Sequence, residues 1–144
     1  MLRIAPKPES VAQLTRILEE TPVGLTYVPA TVINPAEPDR TWEGRFLVDT
    51  GSMSCVVPES VLLSIGIVPR AATDIFLFDG SSQRRFVADA QFELLDDSAS
   101  SRVIVGEDGE EPIIGLTLLE SLGLIVDPFA EELHKRSVIR NSAS

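Results

Sequence analysis

Apolar positions along this chain follow two periods. Over residues 10–20, SVAQLTRILEE, they recur at Val11, Leu14, Ile17 and Leu18, one face of a short amphipathic helix that Ser10 and Gln13 would cap. From residue 25 the period becomes two, and β-branched and aromatic residues set in, which predicts strands. The first strand spans 25–33, the turn-rich NPAEPDR connects it to TWEGRFLV, and CVVP forms a third short strand. Pro58 then suits the first turn of a helix over ESVLLSI that Gly66 would terminate. DIFLF and RRFVADAQFELL flank Asp79 and Gly80, a pair favoured in tight hairpin turns because glycine accepts positive φ without penalty. In the second arm Phe86, Ala88, Ala90, Phe92 and Leu94 alternate with more polar neighbours, as in a strand with one face covered. Beyond it the pattern predicts a polar turn at DDSASS, a strand at RVIV, an acidic loop at GEDGEE, a buried strand at PIIG, a helix at LTLLESLG and a final strand at LIVDP. The rest reads as a polar tail, with His134 on its surface.

This pattern divides the chain into an N-terminal extension over 1–22, one mostly β domain over 23–130 and a tail over 131–144. The length of 144 residues and a 44% hydrophobic composition suit a single globular core. Acidic residues outnumber basic ones 22 to 12, and the resulting net charge of −10 repels phosphate backbones and anionic membranes, so no nucleic acid or membrane partner is expected. No apolar run approaches the roughly 18 to 20 residues that cross a bilayer, and the first residues lack the apolar core of a signal peptide, which points to a cytoplasmic protein. Cys55 is the only cysteine and His134 the only histidine, so neither an intrachain disulfide nor a Cys/His metal site is expected. GEDGEE lacks the spaced oxygen ligands of a calcium loop and reads as solvated. Trp42 is expected to pack on the strand before Asp49 or at a subunit contact.

Against this background Asp49 stands out, because RFLVDTGSMSCVVP sets a carboxylate between two apolar runs, where burial is costly unless donors, a partner charge or a proton compensate it. Three local signals attend it. Asp49, Thr50, Gly51 and Ser52 form one, Ile114 and Gly115 before a helix form the second, and the hairpin around Asp79 and Gly80 is the third. Each alone also fits an ordinary structural turn, hairpin or glycine kink.

Their order and spacing across residues 23–129 resemble the retropepsin-like aspartic peptidases, and most of all the single-domain bacterial and archaeal members. The resemblance implies a closed, mostly β barrel, the half-pepsin unit, with one or two short helices and a flap hairpin. It also implies an aspartic endopeptidase without cofactor or metal, acting on a peptide or protein substrate. In the family each chain supplies one Asp-Thr-Gly, and a second copy is absent here, since Asp127 lies in VDPF; the catalytic pair would therefore be Asp49 and its mate in a homodimer. By the same resemblance Thr50 would bond across the twofold axis, Gly51 would offer its N–H to the Asp49 carboxylate, and Ser52 would donate to the outer carboxylate oxygen. Gly115 would let its strand pass against the loop with Ile114 beside it. Phe78, Asp79, Gly80 and Ser81 would form the flap tip, while Met53 is larger than the family pattern and fits the core. A non-catalytic retropepsin-like module that dimerises or binds protein is the alternative, because a retained Asp-Thr-Gly permits catalysis without requiring it.

Overall fold

The computed structural model describes residues 26–77, 79–127 and 129–135, so the expected helix over 10–20, Phe78 and the chain from 136 onward lie outside the described residues. The strands are β1 (Thr26–Asn34), β2 (Glu37–Val48), β3 (Cys55–Pro58), β4 (Ala71–Phe76), β5 (Ser82–Leu94), β6 (Asp97–Gly106), β7 (Ile113–Ile114), β8 (Leu124–Asp127) and β9 (Glu132–Lys135). Two six-residue helices, α1 (Glu59–Ser64) and α2 (Leu116–Ser121), complete a mostly β structure. Hydrogen bonds join β1, β2, β7, β3, β6 and β5 in that order, and a second pairing of β1 with β5 closes the ring. Closure pairs both sides of β1 and leaves β4 as the strand outside the ring.

Alternation explains the inside of the ring. Val28, Ala30 and Val32 of β1 and Ala88, Ala90, Phe92 and Leu94 of β5 point inward and join one apolar cluster with Phe46, Val57, Val103 and Leu118. Each valine, leucine or phenylalanine among them contributes about 1.5–3 kcal/mol on burial. Phe86, on the same alternation, lies instead on the exposed arm of β5, where β4 is its strand partner. Trp42 does pack on the strand before Asp49. Its ring meets Phe46 edge to face at 5.8 Å and covers Gly44, where a Cβ would fall 2.0 Å from the indole.

Three polar stretches depart from expectation. NPAEPDR is a tight turn at Pro35 and Ala36, and the rest of it is strand: the buried Asn34 accepts from the N–H groups of Ala36 at 2.8 Å and Glu37 at 3.2 Å, so its side chain makes the turn. DDSASS is largely the start of β6, because Leu95 and Asp96 both adopt positive φ, 51° and 63°, the geometry of a two-residue hairpin loop. LIVDP is not the last strand, for β9 pairs with it, and His134 is 3% exposed with Nε2 3.5 Å from the Asp127 carboxylate rather than on a surface tail.

Candidate active site

The chain leaves β2 at Val48 and turns sharply. Ser52 N–H donates to the Asp49 carbonyl at 3.1 Å, which folds Asp49, Thr50, Gly51 and Ser52 into one tight turn. Asp49 is half-buried at its start, while Thr50 and Gly51 are exposed. Gly51 N–H donates to Asp49 Oδ1 at 2.9 Å, a bond that fixes the carboxylate's orientation. The Ser52 hydroxyl, however, donates to the Ser54 carbonyl at 2.7 Å, so its one proton is spent on the loop backbone and the expected donation to Asp49 is corrected.

The turn is seated on the chain around β7 and α2. Asp49 N–H donates to the Ile114 carbonyl at 3.0 Å, and the carbonyls of Ser52 and Met53 accept from Leu116 and Thr117 at 2.8 and 3.1 Å. Those two N–H groups open α2 and have no partner within the helix, so the loop satisfies them. Gly115 makes the seat possible: a Cβ there would lie 2.5 Å from the carbonyl carbon and oxygen of Ser54 and 2.9 Å from the Ser52 carbonyl oxygen. Ile114 is fully buried beside it. Beneath the loop Cys55 Sγ accepts from Gly115 N–H at 3.4 Å; burial pushes this thiol up to about 11, against a smaller lowering by that bond.

Among the described residues β4 pairs only with β5, and it extends past the ring as one arm of a hairpin. Its end is closed by Leu77 N–H on the Ser81 carbonyl and by Gly80, at φ 84°, whose N–H donates to Leu77. Asp79 Oδ1 accepts from Ser81 through both its hydroxyl and, at 2.9 Å, its N–H, and the hydroxyl above all holds the Asp79 carboxyl below its usual range. Between hairpin and loop lies a cavity of about 710 Å³, lined by residues 51–54, by residues 73–77 and by Val87, Arg102 and Ile104.

No family model and no curated protein matches this chain. Among solved structures it is similar to the foamy viral protease-reverse transcriptase in complex with an RNA/DNA hybrid, at 18% identity and a TM-score of 0.48, covering 67% of this chain and 12% of that one. It is similar also to the EIAV protease complexed with the inhibitor HBY-793, at 17% identity and a TM-score of 0.49, covering 72% of this chain and 91% of that one. The chain thus spans only a small part of the first neighbour's length.

The structure brings Asp49, Gly51, Ser52, Ile114 and Gly115 into one unit and sets the hairpin across a cavity from it. The residues expected at the hairpin tip, Asp79, Gly80 and Ser81, do not line that cavity; Thr73, Asp74, Ile75, Phe76 and Leu77 on the arm do. The apolar run of the DIFLF arm was the available signal for most of these. Met53 belongs to the cavity and not the core, being 65% exposed, because the loop uses its carbonyl and leaves its side chain outward. Arg102 carried no sequence signal, since its place depends on β6 crossing beside β3. Among the described residues no group of three or more His, Cys, Asp or Glu side chains is placed to hold a metal.

Proposed function

We propose that this chain is an aspartic endopeptidase that acts as a homodimer, with Asp49 of each copy facing one water. The observation that supports this most is the seating of the Asp49 turn on Ile114 and Gly115, with the carboxylate oriented by Gly51 and the cavity and hairpin beside it. Two carboxylates about 3 Å apart do not both ionise, so one retains a proton and their titrations separate. The ionised Asp49 takes a proton from the water, which attacks the peptide carbonyl as the protonated Asp49 polarises it. Thr50, exposed on the turn, bonds in this proposal to its counterpart across the twofold axis. The edge of β4 left unpaired among the described residues offers backbone groups to an extended peptide, and the hairpin, with Phe78, Asp79, Gly80 and Ser81 as its proposed tip, closes over it.

One observation favours a second reading, a retropepsin-like module that binds protein without cutting it: the cavity lining begins at Gly51 and leaves Asp49 out. Digesting a diverse peptide mixture with wild type and Asp49→Ala from mildly acid to neutral pH, with products read by mass spectrometry, separates the two. Cuts made by wild type alone are the expected result. A folded wild-type dimer that cuts nothing would transfer the assignment to the binding module.

A further inference from the structure

The cavity is mostly apolar, with Met53, Ile75, Phe76, Leu77, Val87 and Ile104 in its lining, and two charged residues, Asp74 and Arg102, border it. Asp74 is already compensated, its carboxylate lying 3.4 Å from the guanidinium of Arg84. Arg102 is not. Its cross-strand neighbour Asp89 is engaged by Arg70, which donates to both carboxylate oxygens at 2.7 and 3.2 Å. The Arg102 side chain, exposed, forms no hydrogen bond or ion pair with a described residue. In a chain of net charge −10, acids are abundant, yet this cation is left open beside an apolar cavity. A guanidinium presents a planar fork of donors that fits a carboxylate, and low-dielectric walls strengthen its field.

Resting on the peptidase reading above, we infer that Arg102 seats an acidic side chain of the substrate, so that this chain selects extended peptides carrying Asp or Glu next to the apolar residue that fills the cavity. Basic side chains at the same position meet a like charge and are rejected. Two labelled peptide pools with an apolar centre, identical but for Glu or Gln at the flanking positions, provide the probe. Their binding to Asp49→Ala protein is read by fluorescence anisotropy and their cleavage by wild type by mass spectrometry. The Glu pool is expected to bind and to be cut about tenfold better, a preference reduced by salt because the pair is only partly shielded from solvent. Arg102→Gln brings the two pools within about twofold of each other, and Arg102→Glu shifts preference to Lys-bearing peptides. Equal handling of the pools by wild type, or a Glu preference that survives in Arg102→Gln, overturns the role of Arg102 while leaving the peptidase reading intact. Tight, Arg102-dependent binding of the Glu pool without any cleavage upholds the subsite and overturns the peptidase instead.

Discussion

Cys55 sits under the candidate site and stays out of the chemistry proposed for it. Its thiol is buried under the Asp49 loop and burial carries its ionisation to about 11, so near neutral pH it is protonated and a poor nucleophile. Thiol reagents are therefore expected to label it only when the protein unfolds, and peroxide to leave activity unchanged. The sign of its pH dependence follows. Below the unfolded value of about 9.0 both states hold the proton and the thiol adds no pH dependence. Between there and about 11 the unfolded chain loses its proton first, so stability falls as pH rises. Urea denaturation across that window should give a steeper decline for wild type than for Cys55→Ala; equal slopes would remove the thiol from the alkaline limit.

At the level of elements, the contact between the Asp49 loop and the β7–α2 segment is one of backbone against backbone. Gly115→Ala places a methyl inside it, and overpacking of this kind costs about 1–3 kcal/mol. Denaturant titration should register that loss, with peptide cleavage falling further because the turn that aims Asp49 shifts with its seat. Much of this arrangement was legible in the chain: apolar residues flanking Asp49, paired isoleucines ahead of Gly115, and Asp79 with Gly80 between two alternating arms. Periodicity failed where polarity carried structure. Glu37 to Arg40 and Asp97 to Ser101 are strands facing solvent on most positions, held by the turns at Asn34 and at Leu95 and Asp96. Glu110 of the acidic loop accepts from both Arg85 and the N–H of Glu107, so one arginine on β5 organises what reads as a solvated run. The β9 strand stayed hidden because its burial depends on pairing with β8.

For the whole molecule the decisive property is that one chain carries one Asp49 turn. A shared site requires two copies, each of net charge −10, to approach with their turns facing. Sedimentation should therefore find a dimer that tightens as added salt screens the repulsion. Mixing wild type with excess Asp49→Ala should depress activity below the wild-type share, because mixed pairs hold half a site. Activity that simply tracks the amount of wild type, or that persists in a monomer, would rule out the shared site.

Because the turn is gripped through its carbonyls and amides, the side chains at 53 and 54 are spectators to its position although they border the cavity. On the peptidase reading, recognition and chemistry are thereby uncoupled within the stretch 49–54: Met53 or Ser54 can be exchanged, one at a time, without moving the carboxylate of Asp49, upstream of both. If the chain is a peptidase, that arrangement makes the loop a natural place for selection, or a designer, to change what is cut while leaving how it is cut alone.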